Sequence, residues 1–146
     1  VKMRRINKLI VHCSATREAL PVSLKTIKSW HVDGNGWADV GYHYIVHLDG
    51  KISKGRDDSV LGAHTKGHNT DSLGICYTGG MDKDNKHPKD TRTCAQKESL
   101  SALLLTLKNL YRDSVVHSHN DFSNKACPSF DATGEYKWIS DYEEDC

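Results

Sequence analysis

Side chains of the kinds that bind metals stand at opposite ends of this chain, so a fold that uses them must bring its first strand against its last segment. His12 lies near the start, and His119-Asn-Asp-Phe-Ser-Asn-Lys125-Ala-Cys127-Pro128 lies near the end. Imidazole nitrogen and thiolate sulfur are donors that a borderline-soft ion such as zinc prefers, and three protein ligands leave one coordination position for water. That open position separates a catalytic centre from a structural clip. Spacing alone does not single these residues out, because His-x7-Cys matches none of the common zinc-finger spacings and the chain holds nine histidines. His117 competes with His119, since alternate residues of a strand share a face.

The surrounding motifs narrow the choice. Val11-His12-Cys13-Ser14-Ala15-Thr16, Gly36-Trp37-Ala38-Asp39-Val40-Gly41-Tyr42-His43-Tyr44 and Lys125-Ala126-Cys127-Pro128-Ser129-Phe130 occur in that order. Asp49-Gly50 with Gly55-Arg56, and Gly62-Ala63-His64-Thr65-Lys66-Gly67-His68-Asn69 leading into Ser72-Leu73-Gly74-Ile75, lie between them. Together they resemble the zinc-dependent N-acetylmuramoyl-L-alanine amidases of the bacteriophage-lysozyme and peptidoglycan-recognition-protein type. The resemblance runs from about Leu9 to Phe130 and is nearest to the phage-lysozyme branch. It implies His12, His119 and Cys127 as zinc ligands and Tyr42 and Lys125 as catalytic auxiliaries, and it decides for His119 over His117. Branches that replace the cysteine with Asp, or the lysine with Thr, differ from what stands here.

A chain of 146 residues is expected to form one domain over residues 1–146 with a core large enough to fold without disulfides. Lys+Arg and Asp+Glu nearly balance at 20 and 19, for a net charge of +1, so there is no broad basic surface for nucleic acid. The longest apolar run, Ala102 to Leu105, falls far short of the roughly 20 residues that cross a bilayer, so no membrane insertion is expected. Val1-Lys2-Met3-Arg4-Arg5 carries charge without an apolar stretch after it, and no secretory signal is read there. The expectation is a monomer made in the cytoplasm that reaches the cell wall by release or export. With Cys127 as a ligand, Cys13, Cys76, Cys94 and Cys146 show no disulfide framework. Cys13 and Cys76, in apolar strand-like stretches, are expected to be buried free thiols, and a reducing compartment is expected.

Leu9 to Cys13 reads as a short buried strand with His12 facing opposite Val11 and Cys13. A helix should start after Ser23 as N-cap, pass through Ile27 and Trp30, and stop at Gly34-Asn35-Gly36. Tyr42 to Leu48 and Lys51 to Lys54 read as two strands around a type I′ turn at Asp49-Gly50. Residues 62–71 read as a loop, Leu73 to Thr78 as a strand, and 81–92 as an exposed charged loop with solvated side chains. Thr93-x-x-Gln96 is a capping box, followed by Leu100, Leu103, Leu104, Leu107 and Leu110 at helical spacing as a core stripe. Val115 to His119 reads as another strand, and Asp131 as the cap of a last helix through Tyr136 and Trp138. Strands and helices in this mixture predict an α/β fold. The resemblance sharpens it to a single central, mostly mixed sheet flanked by helices.

Three ligands of this kind leave a dication with net positive charge, and bound water then acquires a pKa near ~7 in place of ~15.7 in bulk. Lys125 is placed by the chain to stabilise a developing oxyanion. Tyr42, with a free pKa near ~10, is an orienting group before it is a base. By resemblance, the reaction is hydrolysis of the amide between N-acetylmuramic acid and L-alanine in peptidoglycan. The loop from His64 to Asn69 is a candidate groove wall, with His64 and Asn69 as substrate contacts. Arg56 could pair with a stem-peptide carboxylate. Trp30 and Trp37 could pack under sugar or peptide, although a core role for the tryptophans is the plainer expectation. Two competing functions remain. One is a non-catalytic peptidoglycan-binding module, whose expected mark is loss of the cysteine ligand. The other is a structural zinc domain, which needs a fourth protein ligand such as His117 or Cys13.

Overall fold

The computed structural model describes residues 4–143, so Val1 to Met3 and Cys146 lie outside the described residues. Its strands are β1 (Lys8–Cys13), β2 (Thr16–Arg17), β3 (Tyr44–Val46), β4 (Ile52–Lys54), β5 (Ser72–Tyr77), β6 (Gly80–Met81) and β7 (Val115–Ser118). Its α-helices are α1 (Leu24–Ser29), α2 (Cys94–Leu110), α3 (Ala132–Glu135) and α4 (Lys137–Ser140). The main sheet runs β4-β3-β5-β1-β7. It is parallel except for the antiparallel β3–β4 pair at one edge, which bears out a mixed sheet in an α/β fold.

Strand alternation gives the sheet two different faces. Leu9, Val11 and Cys13 of β1 join Leu73, Ile75 and Tyr77 of β5 and Val116 of β7 in one buried cluster. Leu100, Leu103, Leu104 and Leu107 of α2 cover it, with Ala132, Tyr136 and Ile139 from the last two helices. On the opposite face, Ile45 and Cys76 pack against Val22, Ile27 and Val40. This second cluster covers only part of the face, and His12 falls on the remainder.

Two local signals are met closely. Ser23 caps α1 by accepting from the Thr26 amide, and Thr93 and Gln96 close the capping box of α2. Gln96 is fully buried, and its Nε2 also donates to the Val46 and Thr78 carbonyls at 3.2 and 2.9 Å. The cap thus ties α2 to the ends of β3 and β5.

Elsewhere the structure corrects the expectation. The hairpin turn spans His47 to Gly50, with the Gly50 amide donating to the His47 carbonyl at 2.8 Å, and only Gly50 is left-handed (φ 88°). A type I′ turn at Asp49-Gly50 needs positive φ at both residues, and Asp49 does not adopt it. After α1 the chain widens into a π-helical turn, Trp30–Gly34, and the Gly41 amide donates to His31 Nδ1 at 2.8 Å. Thr16–Arg17 and Gly80–Met81 pair in parallel as a second small sheet, so Met81, expected in a loop, belongs to a strand. Leu110 closes α2 beyond the core and is 65 % exposed. Trp30 and Trp138 are exposed as well, so neither belongs to the core. The last helix is broken after Glu135 into α3 and α4.

The charged segment 81–92 is exposed as expected except at its end. Arg92 is buried, paired with Asp90 at 2.8 Å and Glu135 at 2.6 Å, and its guanidinium lies 3.5 Å from the Phe130 ring centre. It also donates to Tyr136 Oη at 2.7 Å. Four partners replace the water that the charge gives up.

Candidate active site

The parallel strands finish at one edge of the sheet, and β1 lies between β5 and β7 there. Val11 is in register with Ser118, so His12 on β1 and His119, one residue past β7, become neighbours. Their ring centres are 4.4 Å apart. His119 opens a 3-10 turn, His119–Asp121, and Cys127 returns on the following loop. That loop is tied down by the Tyr77 hydroxyl donating to the Pro128 carbonyl at 2.6 Å and by Ser129 Oγ donating to the Gly80 carbonyl at 2.8 Å. The Cys13 amide donates to Cys127 Sγ at 3.1 Å.

His12, His119 and Cys127 bring one ligand atom each within 4.8 Å of the others. His12 Nδ1 lies 3.8 Å from Cys127 Sγ. Zinc–nitrogen and zinc–sulfur bonds of ordinary length at a tetrahedral angle put two such atoms roughly 3.6 Å apart. His119 Nδ1 is buried without a hydrogen-bond partner among the described residues, a costly state for a polar atom unless something binds it. The donor set and the orphaned nitrogen fit a borderline-soft divalent cation. His117 stands outside this cluster, 3.9 Å from Asp121 Oδ2 and against Phe122. Cys13 packs into the cluster under α2 and is not one of the three grouped residues. Among the described residues the group has three members, which leaves it open.

Electrostatics prepare the imidazoles. Burial, followed by the charges of His64, His119 and Lys125, holds His12 well below its usual pKa. Burial and then Lys125 lower His119. Both rings are therefore neutral and ready to ligate near pH 7. The Cys127 thiol is pushed up, first by the hydrogen-bonded Cys13 sulfur and then by burial. A bound cation supplies the opposing charge that thiolate formation needs.

Tyr42 sits half-buried with its ring 5.2 Å from that of His12 and 5.3 Å from that of His31. Burial, then the neighbouring sulfurs of Cys76, Cys127 and Cys13, raise its phenol well above the usual value. It stays protonated and can donate. Lys125 is exposed on the ligand loop and lines a groove of about 540 Å³ with Trp37, His64, Lys66, Asn69 and Phe122. His119 forms part of its floor. A larger apolar groove of about 800 Å³ lies between Pro21 to Leu24 and the hairpin, away from these ligands.

The other expected substrate contacts divide. Arg56 donates to the carbonyls of Val40 and Leu61 at 2.7 Å each and of Asp39 at 3.4 Å. These bonds brace the Tyr42 segment and leave one hydrogen on each of Nη1 and Nη2. Asn69 borders the groove, but its Oδ1 accepts from the His64 and Thr65 amides at 3.0 and 2.9 Å. His64 borders it too, with its nitrogens turned towards His12, Thr65 and Ser72. Trp37 lines the groove and Trp30 does not. The loop from His64 to Asn69 does form a wall, with Lys66 in it, but sequence reasoning did not single out Thr65, which is 2 % exposed and 3.2 Å from His12 Nε2, and it passed over Phe122. The run of glycines and polar residues around His64 was the available signal for a shaped loop.

A His, His and Cys group at the edge of an α/β sheet, with a lysine beside it and a groove leading to it, fits a hydrolase that could hold a metal ion. The chain belongs to the N-acetylmuramoyl-L-alanine amidase family, whose model matches residues 2–130. It is 46 % identical over 123 residues to the endolysin of Enterobacteria phage T3, covering 84 % of this chain and 80 % of that one. It is 42 % identical over 130 residues to the endolysin of Klebsiella phage KP32, covering 89 % and 85 %. Among solved structures, the N-acetylmuramoyl-L-alanine amidase LysC from Clostridium intestinale superposes with a TM-score of 0.77 at 26 % identity, covering 90 % of this chain and 82 % of that one. The protein is a peptidoglycan amidase.

Proposed function

We propose that the chain is a single-domain, monomeric zinc amidase that detaches stem peptides from the glycan of the bacterial cell wall, with His12, His119 and Cys127 as zinc ligands. The observation that carries this is the buried His119 Nδ1, without a hydrogen-bond partner among the described residues, on a ring whose ligand atom lies within 4.8 Å of those of His12 and Cys127. When bound, a zinc ion there acidifies a water and polarises the scissile carbonyl. Lys125 lines the groove, where its side chain would meet the carbonyl oxygen as negative charge builds on it. That interaction strengthens from ground state to transition state, so it raises turnover. Tyr42, kept neutral, holds the water or the carbonyl by one hydrogen bond. Trp37 offers an aromatic wall for sugar or peptide, and Lys66 a second cation for the carboxylates of a stem peptide. No helix among the described residues is long and apolar enough to cross a membrane, and no nucleic-acid partner is proposed. The enzyme would act on the cell wall after release or export from the cytoplasm.

A purely peptide-recognising role would not need Cys127, yet its sulfur sits beside His12. Mass spectrometry of purified muropeptides incubated with zinc-loaded and chelated protein decides the matter. Free peptide beginning at L-alanine, released only with metal, is the expected result. Muropeptides that bind and remain intact would establish the recognition module instead.

A further inference from the structure

We infer that His64 is a positioning residue for the metal centre, fixing the tautomer of His12 so that Nδ1 is the nitrogen left free for the cation. The inference rests on the zinc reading above for the identity of that cation. A neutral imidazole carries one ring hydrogen, so one nitrogen donates while the other offers a lone pair. His12 Nδ1 faces Cys127 Sγ at 3.8 Å, and its Nε2 points away to His64 Nδ1 at 2.9 Å and Thr65 Oγ1 at 3.2 Å. For Nδ1 to ligate, Nε2 must hold the hydrogen and donate it to His64 Nδ1. His64 then carries its own hydrogen on Nε2, where Ser72 Oγ waits at 3.3 Å to accept it. Ser72 is fully buried on β5, so the chain of donors ends inside the sheet.

The slot that holds His64 is built for an imidazole in this orientation. A Cβ at Gly74 would come within 2.6 Å of His64 Cγ, and one at Gly62 within 2.6 Å of His64 Cδ2. Two glycines thus leave bare backbone where the ring lies. The His64 and Thr65 amides both donate to Asn69 Oδ1, which pins the loop beneath the ring. His64 meets the His12 ring edge-on, at 90° and 4.9 Å. An acceptor on the remote nitrogen of a ligating histidine orients the ring and raises its basicity, and losing one typically costs about 10- to 100-fold in metal affinity.

The test is zinc affinity by competition with a chromophoric chelator, for the parent protein, His64→Phe and His64→Asn. His64→Phe should bind zinc roughly 10- to 100-fold more weakly. His64→Asn, whose Oδ1 can take the place of Nδ1 as acceptor, should recover most of the loss. The ¹⁵N imidazole spectrum of the zinc-loaded parent should show hydrogen on Nε2 of both His12 and His64, and it decides the question even if His64→Phe does not fold. A folded His64→Phe with parental zinc affinity and a raised KM would make His64 a substrate contact and overturn the inference. So would a parent spectrum with hydrogen on His64 Nδ1. A parent protein that takes up no zinc would sink the zinc reading itself, and the inference with it.

Discussion

His12 Nδ1 and Cys127 Sγ stand 3.8 Å apart although 115 residues separate them along the chain. Replacing Cys127 with alanine should therefore release the metal and abolish amide hydrolysis while the fold persists, since the core cluster has other members. Metal content by mass spectrometry, circular dichroism and peptide release on the same sample check this. Full hydrolysis by a zinc-free Cys127→Ala protein would contradict the ligand assignment.

Lys125 lines the groove but is not one of the three clustered ligands. Lys125→Ala should keep full zinc content and lower kcat by about 10²- to 10³-fold, the usual cost of removing one oxyanion-stabilising donor. Steady-state kinetics beside a metal assay separate the two effects. A variant that changes KM alone would show Lys125 to be a binding group.

Acid should weaken the fold. Burial is the leading cause that pushes His43 down to about 4 and holds His12, His64 and His119 below the usual 6.5. Between each folded value and 6.5 the unfolded chain binds more protons, so stability rises with pH there. It is fully present above 6.5 and is lost as pH falls towards the folded values. Each group contributes up to about 1.4 kcal/mol per pH unit within its own window. Thermal melts of metal-free protein should show Tm dropping steadily below about pH 6.5. A Tm that stays level down to about pH 4.5 would rule this out.

Arg92 is held between Asp90, Glu135 and the Phe130 ring. Arg92→Met should cost about 2 to 4 kcal/mol, towards the lower end of the loss for one partner of a buried pair, because both carboxylates keep access to water. Urea unfolding measures it. Zinc affinity should change little, as Arg92 touches no ligand, and a loss below about 1 kcal/mol would show its charge to be solvated after all.

Much of the scaffold was legible in the residues because its signals are local. Alternation in Leu9 to Cys13 places His12 on one face, and Thr93 with Gln96 and the leucine stripe specifies α2. The site residues were legible through motifs, since neither His12 nor Cys127 has a local pattern that points to the other. What could not be read depends on distant backbone. Arg56 is drawn to the carbonyls of Asp39, Val40 and Leu61, which lie outside the named strands and helices. Arg92 is buried by a helix more than forty residues later. The π turn widens a helix whose sequence pattern is ordinary, and β2 pairs with a strand more than sixty residues later, just after Gly79 and at Gly80, both with positive φ.

Placing β1 between β5 and β7 has a consequence for when this enzyme exists at all. Both flanking strands are synthesised long after it, and two of the three ligands follow the last strand of the sheet. A ribosome-bound chain that has exposed His12 still lacks the partners that give its ring a purpose. Any fragment that stops short of Cys127 is likewise without a complete centre. The order of strands makes hydrolytic power a property of the chain once its last proposed ligand has been made.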